Sequence, residues 1–133
     1  MEQVLKVLSN NDFLGRTLSL EIDLPAEIIK EQLDRFNLEN VGICYDTGNR
    51  MGLRVDLRQE IKTLSNHINH VHIKYKEQGK NVRIKNNSEE LKQAFEALKE
   101  ISYASSLILE TCIAPIPEKE ARSNLSAIKN YML

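Results

Sequence analysis

The sequence is poor in the residues that mark specialised scaffolds. Its 133 residues include no tryptophan, two cysteines, three prolines, five glycines and three histidines, and aromatics make up only 5%. Cys44 and Cys112 are isolated, lack CxxC spacing and lie in apolar runs. Reduced, semi-buried thiols are therefore expected rather than a disulfide or a thiol site. No apolar run approaches the roughly 18 to 20 residues that cross a bilayer, and the start "MEQVLKVLSNND" lacks the basic segment and long apolar stretch of a signal peptide. A cytoplasmic protein without a membrane partner is expected. Charge of one sign is missing too, with 18 Lys+Arg against 19 Asp+Glu and a net charge of −1. No basic field is available to hold nucleic acid.

What is present is an alternation of two periodicities. Four short aliphatic runs bounded by turn residues predict strands at 17–23 (TLSLEID), 40–46 (NVGICYD), 70–75 (HVHIKY) and 106–111 (SLILET). Between and after them the apolar residues recur at helical spacing: Ile28, Ile29, Leu33 and Phe36; Leu57, Ile61, Leu64 and Ile68; Leu91, Phe95, Leu98 and Ile101; Ala121, Leu125, Ile128 and Met132. Pro25 suits the first turn of a helix over 26–36, "NNSEE" supplies cap residues and acids at 86–90, and a short helix is expected at 2–9. The length suits one domain, residues 1–133. Strands alternating with helices make it α/β with a parallel sheet, a short helix followed by four βα units from about residue 17.

Parity along the strands separates two faces. Leu18, Leu20 and Ile22 oppose Ser19, Glu21 and Asp23; Val41, Ile43 and Tyr45 oppose Gly42, Cys44 and Asp46. Val71, Ile73 and Tyr75 oppose His70, His72 and Lys74, and Leu107 and Leu109 oppose Ser106, Ile108 and Glu110. An open sheet covered by helices on both sides needs two apolar faces, so a barrel wall fits better. The polar face ends in Glu21, Asp46, His72 and Glu110, each near the carboxyl end of its strand, where α/β proteins place their chemistry. Two carboxylates about 4 to 5 Å apart at an effective dielectric near 20 repel by roughly 3 to 4 kcal/mol. Either one of them protonates or a divalent cation binds, and oxygen donors with one nitrogen suit Mn²⁺, Mg²⁺, Co²⁺ or Zn²⁺ without choosing among them. Lys74 shares this face and is a candidate to hold a substrate oxygen or phosphate. His70 reads as a structural hydrogen-bonder and His67 as helix surface.

The segments "LEIDLP", "YDTGN", "VHIKY" and "LILET" together resemble the second half of the sugar phosphate isomerase/epimerase family, the xylose-isomerase-like TIM barrels that also include apurinic endonucleases of the endonuclease IV type. The resemblance runs from about residue 17 to the end. It implies that Glu21, Asp46, His72 and Glu110 ligate a catalytic divalent metal. It also implies that Glu21 and Glu110 shuttle a proton beside a sugar carbonyl, where a bound divalent metal would stabilise the enediolate that forms. Asn49 stands where many relatives carry a histidine, and it either contacts substrate or closes the turn after Gly48. The sequence departs from the family in Tyr75 and Lys76, where relatives continue with an acid, and in "VRIKNNSEE" (82–90), which has no glycine-rich turn. Arg83 and Lys85 there read as loop charges.

Such barrels take about 250 residues, so the expectation is a (β/α)4 half of a TIM barrel whose two sheet edges invite association. The expected function is a metal-dependent sugar or sugar-phosphate isomerase or epimerase, completed by a second half-barrel, either another copy or a separately encoded amino-terminal half. The alternative is a non-catalytic truncated half-barrel or assembly partner, with or without metal binding.

Overall fold

Leu18–Leu20, Val41–Asp46, Ile68–Ile73 and Ser106–Leu109 hydrogen-bond side by side as one parallel sheet, and the segments between them return along its apolar face as helices. In this computed structural model the described residues are 1–9, 16–111 and 117–132. In chain order the elements are α1 (Glu2–Ser9), β1 (Leu18–Leu20), α2 (Ala26–Phe36), β2 (Val41–Asp46), α3 (Thr47–Gly52), α4 (Leu57–Thr63), β3 (Ile68–Ile73), β4 (Tyr75–Glu77), β5 (Lys80–Val82), α5 (Glu89–Glu100), β6 (Ser106–Leu109) and α6 (Pro117–Met132). The spatial order β1-β2-β3-β6 follows the chain, with all three pairings parallel. This is a (β/α)4 unit, half of a TIM barrel. Among the described residues β1 and β6 each have a single ladder partner.

The core lies between the sheet and its helices. Val41, Ile43, Tyr45, Val71 and Ile73 pack from the strands against Ile29 and Leu33 of α2, Leu57 and Ile61 of α4, and Leu91, Phe95 and Leu98 of α5. Local chemistry sets the helix starts: Asp56 and Ser88 accept the backbone N–H of Gln59 and Leu91, which would otherwise be unpaired in a first turn. Asn37 in the left-handed region ends α2.

The expected elements are present with different limits. The helix expected to run to Ile68 stops at Thr63, because Ile43 N–H bonds to His67 O and draws the following residues into the ladder. His67 therefore sits in a turn, with Nε2 2.8 Å from Asp34 Oδ1, not on a helix surface. β1 keeps only three residues, so Glu21 and Asp23 lie beyond it. The run at 70–75 breaks at Lys74, after which β4 and β5 form an antiparallel hairpin turning at Gln78 and Gly79, both with positive φ. On α6 the buried face is Glu120, Asn124, Ala127 and Ile128, whereas Leu125 and Met132 are exposed. Polar partners account for that shift: Asn124 Oδ1 accepts Ile84 N–H at 2.8 Å, and Arg83 Nε donates to Glu120 at 2.8 Å. Arg83 and Lys85, which pairs with Glu77, thus fasten the 82–90 segment. Cys112 lies outside the described residues; Cys44 is a free, buried thiol.

Candidate metal centre

β2 and β3 bring the polar quartet together through an irregularity in their pairing. Ile43 lies opposite Ile68 and Cys44 opposite His70, so the register absorbs Asn69 between them and restores parity above it. Asp46 and His72 then become direct neighbours, and the inner-face alternation expected on each strand meets across the pair. Gly42 leaves the room that Asn69 needs: a Cβ there would stand 2.5 Å from His67 O and 2.6 Å from Asn69 Nδ2. The Asn69 side chain crosses to β1, where Ser19 Oγ donates to its Oδ1 at 2.8 Å.

The outer members arrive from just past their strands. Glu21 follows β1, and Glu110 is held beside β3 by its own N–H, which bonds to Ile73 O at 3.1 Å. His72 Nδ1 stands 3.0 Å from Glu110 Oε2, 3.7 Å from Glu21 Oε2 and 3.8 Å from Asp46 Oδ2. Two overlapping sets, Asp46–His72–Glu110 and Glu21–Cys44–His72, each place one potential ligand atom per residue within 4.8 Å of the others. Asp46 is 2% exposed and His72 partly buried, while Glu21 and Glu110 stand at the open rim. The set has a deep end and a solvent-facing end.

His72 Nδ1 is buried among three carboxylates, and its 3.0 Å approach to Glu110 Oε2 lacks the alignment of a hydrogen bond. An orphaned ring nitrogen facing clustered oxygen donors is what a divalent cation would satisfy, so these residues fit one. His70 Nδ1 is also buried without a partner, contrary to a hydrogen-bonding role at that atom. The Cys44 thiol is pushed up to about 11, first by burial and then by the charges of Glu21 and Asp46. Its position on the inner face was visible in its parity with Asp46, but a thiol in an apolar run carries no signal of a ligand by itself.

Asn49 serves two groups. Its N–H caps α3 on Asp46 Oδ1 at 2.8 Å, closing the turn, and its Nδ2 donates to Glu21 Oε1 at 2.7 Å. Lys76 Nζ donates to Asn49 Oδ1 at 2.6 Å, so the hairpin reaches the site through a residue that the strand pattern did not single out. Lys74 Nζ lies 2.7 Å from Asp46 Oδ2 and 2.8 Å from Glu110 Oε1. Burial works against its ammonium, but the hydrogen bonds and charges of Asp46 and Glu110 outweigh it and hold the group above the usual lysine range. Behind α3, Arg50 and Glu60 form a buried ion pair; Arg50 also donates to Leu24 O at 2.9 Å, and Tyr45 O–H donates to Glu60 at 3.2 Å. This network ties the loop after β1 to the helix that carries Asn49.

The sequence profile of the family described as Xylose isomerase-like TIM barrel matches residues 25–131. No curated protein matches the chain significantly. Among solved structures, 3-keto-D-glucoside 4-epimerase from E. coli is similar at TM-score 0.77 and 20% identity, over 96% of this chain and 51% of that one. A xylose isomerase domain protein from Planctomyces limnophilus is similar at TM-score 0.69 and 19% identity, over 98% and 49%. D-psicose 3-epimerase is similar at TM-score 0.72 and 14% identity, over 96% and 51%. The chain thus spans about half the length of these structures.

Proposed function

Because the chain belongs to the xylose isomerase-like TIM barrel family, we propose that it is a divalent-metal-dependent isomerase or epimerase of a sugar or sugar phosphate, working by proton transfer beside a carbonyl. The observation that carries this reading is the orphaned His72 Nδ1 amid Glu21, Asp46 and Glu110. These four residues would hold the metal, with Mn²⁺, Mg²⁺, Co²⁺ and Zn²⁺ all compatible. The bound cation would polarise the sugar carbonyl and stabilise the charge that builds on its oxygen.

Glu21 and Glu110 are the two exposed members, entering from opposite ends of the sheet, and each has an oxygen at the open rim. A carboxylate there reaches a substrate C–H, whereas buried Asp46 does not. Asn49 fixes one oxygen of Glu21 and so orients the other. The Lys74 ammonium lies within 2.8 Å of both Asp46 and Glu110, and with three donors it can also serve a substrate oxygen.

We further propose that a second half-barrel completes the wall, either another copy or a separately encoded half. Exposed apolar residues support this at both ends: Val4 and Leu24, which line one concavity with Leu20 and Ile22 beside β1, and Ile108 on β6. The coverage of about half of the similar structures favours the same reading, and equally a non-catalytic assembly partner. Solvent deuterium incorporation separates them. With Mn²⁺ and a panel of ketoses and their phosphates, the wild-type chain exchanges a substrate proton, and Glu21→Gln or Glu110→Gln abolishes the exchange while preserving the far-UV circular dichroism spectrum. Exchange that survives both substitutions refutes the acid/base assignment; a wild type that binds Mn²⁺ without any exchange supports the non-catalytic reading.

A further inference from the structure

Lys74 is placed with more care than a strand-end lysine requires. A lysine beside an open rim ordinarily extends its ammonium into water. Here the side chain is 8% exposed and the ammonium lies between Asp46 and Glu110. Three consecutive residues at the start of α3 serve it. Asp46 Oδ2 forms an ion pair with its ammonium at 2.7 Å. Thr47, fully buried, clamps its backbone in both directions: Thr47 Oγ1 donates to Lys74 O at 2.7 Å and accepts from Lys74 N–H at 2.9 Å. Gly48 leaves room for its stem, since a Cβ there would stand 2.6 Å from Lys74 Cβ and 3.2 Å from its Cγ and Cδ. Backbone, stem and head group are each held.

We propose that Lys74 is a built-in counter-ion of the metal centre, holding the ligand carboxylates together in the metal-free protein and limiting how tightly a divalent cation binds; this rests on the metal reading above. Glu110 shows the sharing directly. Its Oε1 faces the lysine, and its Oε2 lies 3.0 Å from His72 Nδ1, so one carboxylate spans the ammonium and the donor set. The Asp46 and Glu110 carboxylates, both within reach of one His72 nitrogen, repel one another, and a fixed positive charge between them relieves the repulsion. The same charge opposes an incoming cation by Coulomb's law. With a divalent cation present, the three carboxylates, the ammonium and the metal sum to zero, which suits a half-buried cluster better than the excess negative charge left without the lysine.

The test uses the whole chain as wild type, Lys74→Met and Lys74→Arg, melted in chelator and in saturating Mn²⁺, with Mn²⁺ affinity from calorimetry. Lys74→Met melts about 5 °C or more below wild type in chelator, binds Mn²⁺ about tenfold more tightly and gains a larger shift from it. Lys74→Arg, which keeps the charge, follows wild type in both. Rescue by Mn²⁺ of a Lys74→Met chain that is unfolded in chelator is the same result in stronger form. Unchanged melting of Lys74→Met in chelator, equal or weaker Mn²⁺ binding, failure to fold even with Mn²⁺, or Lys74→Arg behaving like Lys74→Met overturns the proposal. If wild type itself binds no Mn²⁺, the metal reading fails separately, and melting in chelator alone decides whether Lys74 is the carboxylates' counter-ion.

Discussion

Removing the Glu60 carboxylate should destabilise the protein far more than an ordinary surface substitution, because it strands a charge. Arg50 and Glu60 are 3% and 7% exposed, and the guanidinium spends its donors on both Glu60 oxygens and on Leu24 O. In Glu60→Leu the arginine keeps its charge in the same buried position, with the Leu24 carbonyl as its remaining hydrogen-bond partner and the charge of Asp23 nearby. Breaking a buried pair in this way costs about 3 to 5 kcal/mol, which lowers the melting temperature of a chain this size by roughly 10 to 20 °C. The double variant Arg50→Met/Glu60→Leu removes the stranded charge and leaves only neutral groups, Leu24 O and the Tyr45 hydroxyl, short of a partner. Each such group costs about 1 to 3 kcal/mol at most, so the double variant should be more stable than Glu60→Leu alone. Thermal and urea unfolding followed by circular dichroism of the wild type, Arg50→Met, Glu60→Leu and the double variant complete a double-mutant cycle, which gives the coupling. A Glu60→Leu loss below about 1 kcal/mol, or a double variant as unstable as the sum of the singles, would show that this pair behaves as a surface pair and that the reasoning is wrong.

Three further outcomes follow from the same geometry. His72→Ala should weaken Mn²⁺ affinity by calorimetry while leaving the fold intact, since His72 is partly exposed and its Nδ1 makes no hydrogen bond; unchanged affinity would remove it from the ligand set. Gly48→Ala should cost about 1 to 3 kcal/mol in urea unfolding, because the new methyl meets the rigid Cβ of Lys74 rather than a flexible tip, and wild-type stability would contradict that packing. Acid should unfold the protein progressively. Asp34, Glu90, Glu100 and Glu120 are all held below the usual carboxylate range, chiefly by hydrogen bonds from Lys30, Ser88, Lys62 and Arg83 respectively. A depressed folded-state value means that the unfolded chain takes up protons first, so their stabilisation is full above about pH 5 and is lost as pH falls through the folded values. The melting temperature should therefore drop between about pH 5 and pH 3, less steeply in Glu120→Gln, and an unaltered slope in that variant would contradict the Arg83 pairing.

Much of this architecture was legible from local pattern. Period-two and period-3.6 runs depend on neighbouring residues alone, so four βα units, a helix start with cap residues at 86–90 and the polar positions Glu21, Asp46, His72 and Glu110 could be read directly. The Leu125 and Met132 stripe misled because hydrophobicity says nothing of partners: Asn124 and Glu120 are buried instead, satisfied by Ile84 N–H and Arg83 from a distant segment. The α4 end was equally out of reach, since it depends on Ile43 capturing His67 from another strand.

What the sequence determined by itself was the alternation of strand and helix and the type of chemical group at each inward position, because both follow from covalent order and backbone geometry. Only the tertiary structure decided that Lys74 turns back onto Asp46 and Glu110, that Asn49 links Lys76 to Glu21, and that Arg50 finds Glu60. Those are contacts between side chains on different elements. Their existence depends on the stagger and spacing of the strands, and no stretch of chain encodes that alone.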